Sequence, residues 1–308
     1  MTNLLDKIKE YINDITNNVK EVFFNDDLDK INLDKIIERE YKKAIEGLRK
    51  FKIIEYIERK YGIDYKIPEL EIVDDDDDLL ITGKYLPLEN KIRISKKSIE
   101  IDIDNIDSHL EFLGYKEIRG SIGDTQYIEY PDILYNSKFL YPFYVDDGDI
   151  IESIARAIIL LIILHEFWHS IDFSILNKLK KDPTIKDRDY LLTILNDHDN
   201  FELRASASEV VMDFLVNGFH KDERGYIAAY KNIPECRNYI EEIDKLEKND
   251  YILYKLGFCY GNIIVAKYGS SLEENIDKII DDIVYLDKER AIDEIKHYVY
   301  NPDKLLHD

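Results

Sequence analysis

At 308 residues, 45% of them hydrophobic, the chain can bury a core large enough for one large domain or two modest ones, which excludes disorder as the default. Its 64 acidic and 42 basic side chains leave a net charge of -22, which repels phosphate backbones and anionic lipid, so no nucleic acid and no membrane is expected as a partner. Two cysteines, Cys236 and Cys259, are too few for a disulfide framework and lack the spacing of a zinc knot, so they are expected as separate buried thiols in a reducing, cytoplasmic setting.

Met1 to Lys7 alternates apolar and charged residues at helical spacing, without the apolar core or small-residue cleavage site of a signal peptide. The helical pattern continues to about Tyr61, with Leu4, Ile8, Ile12 and Ile15 on one stripe and Ile36, Ile37, Ala44, Leu48 and Ile54 in a second run. Asp74 to Asp78 is an acidic run without EF-hand spacing and reads as a solvated loop. Leu80 to Tyr85 and Lys91 to Ser95 are strand-like on either side of the turn-forming Pro87-Leu88-Glu89-Asn90, which predicts a β-hairpin.

From Lys96 to Gly148 the pattern is mixed, with a short helix expected near Ser108 to Leu113 and aromatic-rich segments from Tyr127 to Tyr144. Ile150 to about Leu179 is one strongly apolar helix whose most apolar part, Ala157 to Leu164, falls short of the roughly 20 residues a bilayer requires, so it is read as buried. Further helices are expected over Asp187 to Leu195, over Asn200 to Asn217 with Gly218 in the C-cap position, and in three stretches from Tyr251 to Tyr300. The fold class is therefore α+β, mostly helical, with a small antiparallel sheet. It divides into an N-terminal helical region at 1–65, a central domain at 66–248 and a C-terminal helical region at 249–308.

The chemistry concentrates in His165-Glu166-Phe167-Trp168-His169. Residues four apart on a helix lie one above the other, so His165 and His169 present two imidazoles to one point while Glu166 leans toward the same cleft. Two neutral imidazoles and a carboxylate suit one zinc ion, which keeps a fourth position for water and lowers that water's pKa to about 7. Glu202 and Glu209, seven apart on the later helix, are both candidates for the third ligand. Asp199-Asn200-Phe201-Glu202 is also a capping-box pattern in which Glu202 only closes the helix start, so Glu209 is preferred. Asp172 and Asp213 are candidates to hold the outer nitrogens of the histidines.

With these residues the sequence resembles the gluzincin peptidases, and among them the lethal-factor-type domain that includes proline-specific endopeptidases. The matching segments are His165 to Asp172, then Glu209-Val210-Val211-Met212-Asp213, then Lys231 to Pro234 leading into Tyr239-Ile240, within a span from Leu79 to Leu246. The resemblance implies a zincin-like fold with an active-site helix, one zinc ion on His165, His169 and Glu209, and Glu166 as general base in hydrolysis of a peptide or protein substrate. The strands from Ile81 to Ser95, and Lys91 to Ser95 in particular, would receive an extended peptide.

Departures from the family are Met212 in place of an alanine three residues after the ligand glutamate, and Trp168 in place of a small residue. A third is the absence of the family's oxyanion tyrosine, expected about two turns before the ligand, where Glu202 and Phe201 stand. Tyr190, Tyr226 and His220 are the candidates to replace it. The alternative reading is a non-catalytic zinc-binding or helical scaffold protein, in which the zinc is structural, in a closed four-ligand site, or absent. In a further variant the N-terminal helices cover the cleft of a self-inhibited peptidase.

Overall fold

The computed structural model describes residues 31–74, 82–103, 119–122, 125–131, 138–142, 150–219, 229–230, 232–243 and 250–306. The stripe from Leu4 to Ile15, most of the acidic run, the helix expected near Ser108 to Leu113, His220, Tyr226 and Lys231 lie outside them.

Helix α1 (Leu33–Lys50) begins where Asn32 Oδ1 accepts the Lys35 N–H at 3.1 Å, and carries Asp34 in its first turn and Arg49 and Lys50 in its last, as the helix dipole favours. Its stripe of Ile36, Ile37, Ala44 and Leu48 is buried as the spacing requires. Lys52, in a left-handed conformation, turns the chain directly into α2 (Ile53–Tyr61).

The expected hairpin forms as β2 (Gly83–Leu86) and β3 (Lys91–Ser95), paired antiparallel. The sheet is mixed rather than antiparallel, however, because β1 (Glu69–Val73) pairs parallel to β3 and the order is β1-β3-β2. Lys91 to Ser95 is therefore the central strand, hydrogen-bonded on both sides, and the outer strand next to the site is β2. A helix α3 (96–103) follows. Strands β4 (Arg119–Ile122), β5 (Thr125–Pro131) and β6 (Lys138–Pro142) make a separate antiparallel sheet within the stretch read as mixed.

Helix α4 (Ile150–Lys181) is 32 residues long, with buried side chains from Ala155 to Leu179. By length and apolarity its span Ala155–Lys181 is able to cross a membrane, but 67% of its most apolar window is buried inside the protein, as befits a core helix. Then come α5 (Arg188–Leu195), α6 (His198–Val216), α7 (Cys236–Ile243), α8 (Asp250–Tyr268), α9 (Ile276–Val284) and α10 (Lys288–Tyr300). One buried core runs from Leu33 to Leu305, with members on both sides of positions 65 and 248. The chain is thus mostly helical and α+β.

Helix α6 lies between α4 and α8. Its contact with α8 is backbone-close: a Cβ at Gly257 would sit 2.4 Å from the Leu203 carbonyl oxygen, and one at Gly261 would sit 2.7 Å from that of Ala207. Only glycine permits this approach. Cys236 and Cys259, expected as separate thiols, are joined in a disulfide between α7 and α8. Folding brings together two residues 23 positions apart in sequence, which removes the ground for reading a reducing compartment from them.

Candidate metal centre

The His-Glu-x-x-His segment sits in the middle of α4, where a long apolar run keeps the helix regular and buried. One turn separates His165 and His169, and their ring centroids are 4.7 Å apart. From α6, the Glu202 carboxylate reaches both: its Oε2 lies 3.1 Å from His165 Nε2 and its Oε1 lies 3.5 Å from His169 Nε2. Ligand atoms of His165, His169 and Glu202 fall within 4.8 Å of one another. A buried cluster of two imidazoles and one carboxylate has the donor set and spacing to hold a metal ion.

The sequence preference for Glu209 is reordered by this geometry. Glu209 Oε2 lies 2.8 Å from His165 Nδ1, the nitrogen opposite the one that faces Glu202. It therefore holds the outer side of the imidazole and fixes its orientation, which is the role expected of Asp213. Asp213 instead accepts from Asn217 Nδ2 at 2.7 Å on its own helix. The capping role considered for Glu202 falls to Asp197, whose side chain accepts the Asp199 N–H at 3.0 Å. Glu202 is thereby free to face α4.

Asp172, the other candidate for outer support, is fully buried and bound to Arg204 Nε at 2.7 Å. Arg204 also donates to the carbonyls of Ile194 at 3.2 Å and Leu286 at 3.3 Å. Each residue is close in sequence to a cluster member, so the pair clamps the two helices that carry the cluster. His169 Nδ1 is buried without a hydrogen-bond partner, as is Asp172 Oδ1.

Glu166 points toward the sheet, where its Oε2 accepts the backbone N–H of Tyr85 at 2.6 Å. Gly83 makes this approach possible, since a Cβ there would lie 2.3 Å from Ile162 Cγ2 and 3.3 Å from Glu166 Cγ. Phe173 packs edge-on to Tyr85, and Phe201 stacks on His169.

Three carboxylates around the imidazoles set the electrostatics. Burial pulls the His165 pKa down, but Glu202, Glu209 and Glu166 together raise it well above its usual value. Burial pushes Glu202 up, yet its bonds to both imidazoles hold it well below the usual carboxylate range. Glu209 is raised by burial, against the pull of His165.

Sequence reasoning missed Tyr254. It lies on α8, its ring stacked on His165 at 5.6 Å between centroids with a 26° interplanar angle. Burial and the negative charge of the Glu202 carboxylate push its pKa up. Tyr190, by contrast, donates to Asp287 at 2.7 Å and stacks on Tyr285. The signal that could have found Tyr254 is its place one turn before the Gly257, Gly261 pair, opposite the small residues from Ala205 to Ser208.

Comparison of the chain with family models, with curated proteins and with solved structures returns no match.

Proposed function

We propose that this chain is a zinc-dependent metalloendopeptidase of the gluzincin type, similar to the lethal-factor-type domain, with His165, His169 and Glu202 as zinc ligands and Glu166 as general base. The observation that carries the reading is the convergence of those three ligands from two helices, with Glu166 one residue from His165 and bonded to the outer strand. A zincin-like fold is supported by a mixed sheet whose antiparallel outer strand lies against the metal-bearing helix. With Glu202 as ligand, the residue three positions later is Ala205, the alanine of the family pattern, and the mismatch at Met212 disappears.

When bound, zinc supplies Lewis-acid polarisation of a carbonyl and a water acidified to a pKa of about 7. Glu166 takes a proton from the attacking water and passes it to the leaving amine. Tyr85 holds Glu166 by its N–H, so the base starts from a fixed position. Glu209 keeps His165 oriented and Phe201 flanks His169. Apart from the Tyr85 N–H, which Glu166 occupies, the outward backbone groups of β2 offer pairing to an extended peptide, which is the substrate class proposed.

The scaffold alternative, where its zinc is structural, requires a closed site with four protein ligands, whereas the cluster among the described residues has three. The deciding experiment is metal analysis of zinc-replete protein together with hydrolysis of a peptide library. One zinc per chain, lost in His165→Ala and kept in Glu166→Gln, with cleavage only by wild type, supports the reading. Zinc-free wild type sinks it.

A further inference from the structure

The two imidazoles of the cluster are held differently. His165 has the Glu209 carboxylate on its Nδ1, as a metal-bound histidine usually has an acceptor on its outer nitrogen. His169 turns its Nε2 toward Glu202. A metal on that nitrogen leaves the ring proton on Nδ1, and His169 Nδ1 is buried with no hydrogen-bond partner. Asp172, three residues further along α4, does not supply one: its Oδ2 accepts from Arg204, and its Oδ1 receives no hydrogen bond. Something other than a hydrogen bond must fix the plane of this ring.

Stacked groups stand there instead. The Phe201 ring lies 6.0 Å from that of His169, centroid to centroid, at an interplanar angle of 24°. The Arg204 guanidinium lies over the Phe201 ring, 5.2 Å from its centroid. Arg204 is itself immobilised, since it is fully buried and bound to Asp172 and to the carbonyls of Ile194 and Leu286. Phe201 precedes Glu202 by one residue and Arg204 follows it by two, so the helix that delivers the carboxylate delivers this support with it.

We propose that Phe201 is a positioning residue for His169, held against the imidazole by Arg204, and that Asp172 supports its histidine through this column rather than by a hydrogen bond of its own. This rests on the reading of His169 as a metal ligand given above. Phe201 acts through His169 alone. Without the ring the imidazole is free to turn about its side-chain bonds, and the metal loses the aim of one donor, while His165, fixed by Glu209, keeps its own.

The test uses full-length protein loaded with cobalt in place of zinc, whose visible absorption reports the geometry of its ligands. Phe201→Leu keeps an apolar side chain at this partly exposed position and removes the ring, whereas Phe201→Tyr keeps the ring. Phe201→Leu should still bind one ion, about five- to tenfold more weakly and with an altered absorption spectrum. Phe201→Tyr should match wild type in both, each read on protein with native circular dichroism. Arg204→Lys, which keeps a cation for Asp172 but lacks the planar fork, should alter the spectrum in the same direction. Wild-type affinity and spectrum in Phe201→Leu overturn the proposal, as does an equal loss in Phe201→Tyr. If Phe201→Leu does not fold, an unaltered spectrum in Arg204→Lys overturns it. Wild type that takes up no metal overturns the underlying reading, and the proposal with it.

Discussion

The backbone N–H of Tyr85 donates to Glu166 Oε2 at 2.6 Å, which couples the outer strand of the sheet to the carboxylate beside His165. The coupling depends on Gly83, where an added methyl would meet Ile162 at 2.3 Å. Gly83→Ala should therefore destabilise the fold by about 1–3 kcal/mol through overpacking and lower peptide hydrolysis while zinc content stays at the wild-type level. Denaturant unfolding and metal analysis check this together. A variant as stable as wild type would mean that the strand is not seated on α4 as described.

The two glutamates of α6 should separate cleanly. Glu202→Ala removes a proposed ligand and should abolish stoichiometric zinc binding, whereas Glu209→Ala removes only the partner of His165 Nδ1 and should cost about 10–100-fold in affinity. Competition with a chelator of known strength measures both. The reverse order would restore Glu209 as the ligand.

Zinc uptake should expel a proton. In the metal-free protein the neighbouring carboxylates raise the His165 pKa well above its usual value, so the imidazole is charged near neutral pH. A metal can bind only the deprotonated ring. The folded pKa is raised, so the proton is bound below it and lost as pH climbs through it. Zinc affinity should accordingly rise about tenfold per pH unit until that point is passed, with about one proton released per ion near pH 7. Titration calorimetry in buffers of different ionisation enthalpy counts that proton, and a count of zero would refute the charged imidazole.

The Asp172 and Arg204 pair is fully buried, so removing one partner should cost far more than replacing both. Asp172→Ala should destabilise by about 3–5 kcal/mol, while Asp172→Leu with Arg204→Met should recover most of that loss. Urea midpoints of the single and double variants decide it. Equal costs would show that the pair is screened by water.

Cys236 and Cys259 should yield no free thiol when denatured without reductant. Breaking the link, which joins residues 23 apart in sequence, should cost roughly 3 kcal/mol. Thermal melts with and without reductant, set beside Cys259→Ser, measure it. Two titratable thiols in the purified protein would contradict the bond.

Much of this architecture is legible in local sequence. The turn at Pro87 to Asn90 and the alternation around it announce the hairpin, and the apolar run before His165 announces the central helix. What sequence does not carry is axial position. Glu202 and Glu209 share a face of α6, so periodicity cannot say which one meets His165 Nε2; that depends on how far α6 slides along α4, which the Asp172 and Arg204 clamp and the α8 contact determine. Strand β1 was missed although Glu69 and Glu71 alternate with Leu70 and Ile72, because five residues beside an acidic run give little contrast. The disulfide and Tyr254 were missed for a shared reason, since each depends on α8 packing against elements distant in the chain.

That dependence sets a timetable for synthesis. His165 and Glu202 are 37 residues apart, and α6 is held from the far end of the chain: Leu286 accepts from Arg204, and the Lys288 N–H donates to Asn200 Oδ1 at 3.0 Å. A nascent chain that has displayed its histidines, and even its glutamate, still lacks the segments that fix their spacing. The spacing of the cluster thus depends on segments synthesised after it, and a chain that ends before them carries its candidate metal-binding residues without those two contacts to α6.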